Sequence, residues 1–304
     1  MKTIENLTSC TNVNIEEAGK TSPFATRTNE AIRRFVEQRP CGISIQPIDV
    51  EIVKLIGKYL ILSSKMIGAL LPEYDRDTVK KHIKKLMHSN YIYKSEFFNP
   101  GESGRSSAKF YALSTRGRGL LFNLGGETVR MTQYVSNLDA SDAKKLLSAI
   151  QYSVYQSLLP EGTDLEVRSA PIILLNPKDG ERATLMFRPQ AALCKDGRVV
   201  ELVVSVREST DESELREKLD RMAATLSRKD LNLPVSNEVR TVLVSESYEH
   251  MLKVMSQTCL NRYRSLRLVY TYDHAAFTSP EDCLYTYAPR KASGFFSSLV
   301  SACL

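Results

Sequence analysis

Asp75-Arg76-Asp77-Thr78-Val79-Lys80-Lys81-His82-Ile83-Lys84-Lys85-Leu86-Met87-His88-Ser89 is the stretch on which the reading of the first half turns. Val79, Ile83, Leu86 and Met87 recur at i, i+4, i+7 and i+8, the buried stripe of an amphipathic helix, and Asp75 or Asp77 supplies its N-cap. The opposite face carries Lys80, Lys81, Lys84, Lys85 and His88, with Arg76 in the first turn. Upstream, Ser63 or Ser64 caps a short helix, Lys65 to Leu71, stopped by Pro72. Before it, Ile52, Leu55, Ile56, Tyr59 and Leu60 set a helical spacing within Ile48 to Leu62. Downstream, Tyr91 to Phe98 reads as a strand, residues 99–107 as a turn-rich loop, Lys109 to Leu113 as a second strand and Ser114 to Asn123 as a helix. Three helices, a hairpin with a loose tip and a closing helix make a winged helix-turn-helix. Tyr91, Tyr93, Phe97 and Phe98 are expected to pack in the core and hairpin rather than stack on bases.

A helix fits the major groove of B-DNA and can meet bases and phosphates from one face. Lys80, Lys81, Lys84 and Lys85 are placed for phosphates flanking the groove, Arg76 and Thr78 for base edges, and Arg105 at the hairpin tip for backbone or minor groove. Lysine dominance favours point-charge binding over bidentate guanine reading. A lysine-rich face is also the ordinary solvated side of a helix, and winged helices also dock proteins. The coincidence of the basic face with the recognition helix and a wing favours duplex DNA.

Charge distribution points to the same segment. The chain of 304 residues has a net charge of +6, with 41 basic and 35 acidic residues. Residues 46–123 hold 13 basic and 7 acidic residues, so the excess is concentrated there. Residues 1–45 form a polar arm with a short helix expected at Asn29 to Gln38, and 46–125 form the winged-helix domain.

The six cysteines include no C-x-x-C pair, and the four histidines are not near them at ligand spacing, so no zinc site is expected. There is no signal-peptide run and no apolar window of membrane-spanning length, which gives an expectation of a cytoplasmic chain with reduced thiols and no membrane partner. Nucleotide-binding and serine-hydrolase motifs are missing, Gly125-Gly126 reads as a helix stop, and no cofactor is expected.

After a linker-like stretch at 128–138, Ser141 to Leu158 forms an amphipathic helix whose apolar positions include Leu146, Leu147, Ile150, Val154 and Leu158. Strand material follows at Leu165–Val167, Pro171–Leu175 and Ala183–Phe187, the last continuing through Ala191–Leu193. A Lys195-Asp196-Gly197 turn leads to a buried strand at Val199–Val206. Glu212–Leu226 is a helix, Arg240–Val244 a strand, Tyr248–Leu260 a helix and Leu266–Tyr272 a strand. The fold class expected is α+β: a winged helix-turn-helix, then an α/β domain over 139–290, then an apolar tail at 291–304. The tail either folds back or docks a partner.

The order α-β-β-β-α-β-α-β resembles the core of restriction-endonuclease-like nucleases. Joined to an N-terminal winged helix, it resembles the replication-relaxation family of bacterial plasmids and conjugative elements. The resemblance rests on Phe110-Tyr111-Ala112-Leu113-Ser114-Thr115-Arg116-Gly117, on Phe187-Arg188-Pro189-Gln190-Ala191, and on Glu201 to Thr210 with the Leu215–Met222 helix. It implies DNA binding in transcription control, plasmid replication or transfer, with a homodimer or protein contact through the second domain. Nucleases of this architecture hold Mg²⁺ between strand carboxylates, because a hard cation needs oxygen ligands. Here the Pro-Asp position is Gln190, and Leu202-Val203-Val204-Ser205-Val206 has no carboxylate or lysine. Glu201 and Glu208, about 23 Å apart on an extended strand, are expected to be solvated. A catalytically silent domain, with no metal, is therefore expected. The alternatives are a nuclease with migrated ligands (Glu166, Glu201 or Glu208) and a protein-binding adaptor.

Overall fold

Pro47 at the first helical position and a reciprocal cap between Gln46 and Asp49 start helix α1, Pro47–Tyr59. The computed structural model in which this is seen describes residues 45–97, 108–123, 140–177, 181–258, 261–287 and 298–299. Helix α1 stops at Leu60, whose φ of 78° and ψ of −55° turn the chain directly into strand β1, Ile61–Leu62. The expected helix therefore ends early: Ile61 and Leu62 are buried as a strand, paired with Ala112 and Tyr111. Ser63 caps α2, Ser64–Leu70, by accepting from Met66 N at 3.3 Å.

Asp75 opens α3, Arg76–His88, accepting from the backbone of Asp77 and Thr78 at 2.9 Å each. Asn90, at φ 58°, closes it, with Tyr91 N donating to Leu86 O and Asn90 N to Met87 O. Strands β2, Ile92–Phe97, and β3, Ala108–Leu113, pair antiparallel in a three-stranded sheet of order β1-β3-β2. Helix α4, Thr115–Asn123, follows. Gly117 is required here: a Cβ would meet the Tyr91 carbonyl oxygen at 2.0 Å, and Gly117 N donates to Ser114 Oγ. Tyr91 is buried, whereas Tyr93 is exposed, against the expectation of packing. Asn29–Gln38, the tip at 99–107, Phe98, the Gly125-Gly126 stop and the linker at 128–138 lie outside the described residues.

The chain divides into two compact units, Met1–Leu138 and Asp139–Leu304. The second opens with α5, Ala140–Ser157; Leu158 lies beyond it and is exposed, not inward. Strand β4 is Glu166–Ser169, and β5, Ile173–Leu175, pairs with β6, Thr184–Phe187. Strands β7, Ala191–Lys195, and β8, Arg198–Ser205, flank a turn in which Asp196 and Gly197 both have positive φ. The expected continuous strand from Ala183 through Leu193 is broken at Arg188-Pro189-Gln190. Its first part joins the two-stranded ribbon and its second the main sheet.

Helix α6, Glu212–Leu226, leads to β9, Val235–Ser245; α7, Tyr248–Thr258, leads to β10, Leu268–Tyr272. Helix α8, Asp273–Thr278, and strand β11, Tyr285–Thr286, come after. Ser298–Leu299 of the tail forms β12, antiparallel to β11; the rest of the tail lies outside the described residues. The resulting seven-stranded sheet has the order β12-β11-β10-β9-β8-β7-β4 and is mixed, with β8, β9 and β10 parallel and the other pairs antiparallel.

Strand alternation sorts the sides of β8. Leu202, Val204 and Val206 join Leu215, Leu219, Met222, Met251 and Val254 in one apolar core. Glu201, Ser205 and Arg207 share the opposite face, where hydrogen bonds to Tyr152 and Ser148 tie Glu201 and Arg207 to α5. Both ends of that face are polar and buried.

Candidate functional site

The exposed side of α3 carries Arg76, Lys80, Lys81 and Lys84, spread over about 12 Å of helix at 1.5 Å per residue. Val79, His82, Ile83 and Leu86 are buried; Met87, expected in that stripe, is only partly covered, and His82 takes an inward place instead. Thr78 is half-buried, with its hydroxyl donating to Asp75 at 2.5 Å, so its side chain serves the cap rather than pointing outward. That hydroxyl and the Thr78 and Asp77 backbone hold the Asp75 carboxyl below its ordinary range. Lys80 pairs with Asp77 at 3.0 Å on the open surface, a contact worth little.

Lys85 is the exception among the expected phosphate contacts. Its ammonium bonds at 2.5 Å to Asp49, whose side chain is 0% exposed. His82 Nδ1 meets the other carboxylate oxygen at 2.7 Å, and Gln46 N donates to the same group at 2.8 Å. Lys85 therefore fastens α3 to α1 and stands at the flank of the basic stripe. Arg105 lies outside the described residues.

The second polar site lies at the end of β8. Arg207 is 1% exposed and places its guanidinium against Asp273, with Nη1 at 2.5 Å from one carboxylate oxygen and Nη2 at 3.1 Å from the other. Nε donates to Ser205 Oγ at 2.8 Å, and Nη2 donates to Ser148 Oγ, which itself donates to Asp273 at 2.5 Å. Glu246 stands 4.0 Å from Nη1, paired with Lys144 and accepting from Glu208 N at 3.0 Å. Burial works to raise the Glu246 carboxyl, but the Lys144 and Glu208 hydrogen bonds, with the charges of Lys144 and Arg207, hold it below its ordinary value.

Gln190 and Ser205 do meet: Gln190 Oε1 accepts from Ser205 N at 3.4 Å and from Lys218 Nζ at 3.2 Å. Glu208 is exposed, as expected, and Glu166 is exposed and paired with Arg168. Glu201 is not solvated. It is 0% exposed, bonded to Arg240 Nε at 2.6 Å and to the Tyr152 hydroxyl at 2.9 Å. A carboxylate can be buried there because a guanidinium and a phenol occupy its oxygens. Burial, then Glu201, push the Tyr152 hydroxyl well above its usual range, and burial pushes the Cys283 thiol up to about 11.

Asp49, Arg207 and Lys218 were missed for one reason. Each is a charged residue standing in a buried register: Asp49 with Ile52, Val53 and Ile56, Arg207 with Val203 and Ser205, Lys218 with Leu215, Leu219 and Met222. A charge in phase with an apolar stripe is a readable signal of internal pairing. Among the described residues, no group of three or more His, Cys, Asp or Glu side chains is placed to hold a metal ion. Among the same residues no helix is long and apolar enough to cross a membrane. No protein-family model matches the chain, and no curated protein matches it in sequence.

Proposed function

We propose that the chain is a non-enzymatic DNA-binding protein, its first unit a winged helix-turn-helix that lays α3 in the major groove. The observation that carries this reading is the exposed stripe Arg76, Lys80, Lys81 and Lys84 on a helix fixed from behind by α1 and followed by a hairpin. With its side chains a helix is about 10–12 Å across, which suits a groove about 12 Å wide. The segment's charge excess supports the same reading.

The second unit is read as a degenerate restriction-endonuclease-like domain, and the whole as akin to replication-relaxation proteins acting in transcription control, plasmid replication or transfer. The support is topological: one helix, a three-stranded antiparallel run β4-β7-β8, then crossovers through α6 and α7 to the parallel strands β9 and β10. Its silence is supported by Gln190 and Ser205 at the positions where the resemblance calls for carboxylates, and by the commitment of Glu201 to Arg240. That unit is also the natural seat of a homodimer or protein contact.

The test is binding of the full chain to duplex DNA selected from a random pool, compared with Lys80→Glu plus Lys84→Glu. Losing two phosphate contacts should weaken binding by about 10²-fold and flatten the log–log salt dependence by about 1.8. Unchanged mobility shifts for the double variant would refute the reading.

A further inference from the structure

Tyr248 and Leu252, one turn apart on α7, are exposed, and so is Tyr287 just past β11. The Tyr248 ring meets that of Tyr272 with centroids 5.8 Å apart and that of Tyr285 at 6.2 Å, and the last two stand 6.2 Å from each other. Tyr272 and Tyr285 rest in turn on the apolar core of the second unit. Tyr248 is therefore open to water on one side and held from beneath on the other. An aromatic side chain fixed in advance loses little freedom when a partner covers it, and tyrosine is enriched where proteins meet. A contiguous apolar patch with polar neighbours is the ordinary mark of such a surface.

The neighbours indicate which partner. Tyr248 meets the other two rings edge-on, at 71° and 66°, whereas a platform for bases presents open ring faces. The exposed charges of α7 are one of each sign, Glu249 and Lys253, so the face has no net charge with which to select a strongly acidic or basic partner. They stand four residues apart in the order that favours pairing within a helix, yet no salt bridge joins them, and neither is bridged to another described residue. A two-fold axis crossing α7 midway between them, about 3 Å along the helix from each, brings Glu249 of each copy beside Lys253 of the other. Leu252 lies within one residue of that axis. The face is thus complementary to itself, apolar at the centre and oppositely charged at paired places on the flank.

We infer that this face of α7 is a homodimer interface, in which two copies pack α7 antiparallel across a two-fold axis with Tyr248 as the anchored aromatic. The inference rests on the reading of the second unit as the seat of a self-contact, and not on DNA binding by α3. Sedimentation equilibrium of the full chain without DNA, over about 1–100 μM, is expected to show monomers passing into dimers as concentration rises. Leu252→Asp sets two carboxylates together near the axis and should raise the dimer Kd about a hundredfold. Lys253→Glu and Glu249→Lys each set like charges together at two symmetry-related places and should raise it about tenfold. Glu249→Lys with Lys253→Glu in one chain should restore the parent value, and mixing the two single variants should give a heterodimer.

All three positions are exposed, and circular dichroism melts check that each variant folds. Should Leu252→Asp melt early, the charge exchange decides alone. Because no DNA is present, a monomeric parent leaves the reading of α3 standing, and unchanged mobility shifts for the α3 variant leave the dimer standing. The interface is overturned if the parent stays monomeric over that range, if no variant shifts the equilibrium, or if the exchanged pair fails to restore it.

Discussion

Replacing Arg207 by methionine removes a guanidinium that is 1% exposed while keeping much of the side chain's bulk. The loss has three parts. Asp273 loses its two-point partner, at 2.5 and 3.1 Å; Ser205 loses the donor at 2.8 Å; Ser148 loses the donor from Nη2 but keeps its own bond to Asp273. Breaking a buried pair costs about 3–5 kcal/mol, most of it from the charge left behind. Asp273 is 34% exposed, so water recovers part of that, and the expected loss is about 3 kcal/mol.

For a unit spanning Asp139–Leu304 this is a fall in Tm of about 6–12 °C. Scanning calorimetry of the full chain is the assay, since the two units can unfold separately. Only the second unit's transition should move. Asp273→Asn removes the charge from the other side, and the double variant should recover about 1–3 kcal/mol relative to the sum of the singles. A shift under about 2 °C for Arg207→Met, or strictly additive singles, would show that the guanidinium is not the hub of this cluster.

Two further outcomes follow from buried charges. Asp49→Asn should destabilise the first unit by about 2–3 kcal/mol in urea unfolding, because Lys85, His82 and Gln46 all bond to that carboxylate. Lys218 sets a pH dependence: its folded value of about 8 lies below the unfolded 10.5, so between them the unfolded chain binds more protons. Stability of the second unit should therefore rise by about 2–3 kcal/mol as pH goes from 8 to 10.5, and Lys218→Met should remove that rise; parallel denaturation series of the two proteins measure it.

Much of the fold was legible because its signals are local. The N-caps at Ser63 and Asp75, the stop at Pro72, and the period-2 and period-3.6 stripes all act within a few residues. The break between β6 and β7 was not legible, because Ala183–Leu193 is apolar on both sides of Pro189, and sheet membership is decided by distant partners. The same limit explains Glu201. Its neighbours in sequence are an ordinary strand, and the groups that let it be buried, Arg240 and Tyr152, lie 39 and 49 residues away. The basic stripe of α3 was visible in its spacing; that Lys85 leaves it for Asp49 depends on a helix 36 residues upstream.

A bound metal ion answers to its supply: it arrives, exchanges and can be stripped by a chelator. The positive charge that gathers Ser148, Ser205 and Asp273 is bonded into the chain at Arg207, so it has no dissociation constant and no empty state. The second unit folds with that charge already installed, and it can lose it only by drawing a 1%-exposed arginine out of its interior. One chain thus holds two kinds of cation. Those on α3 lie open to the counter-ions of the medium and weaken or strengthen with every change of salt, while the one at Arg207 is walled off from both.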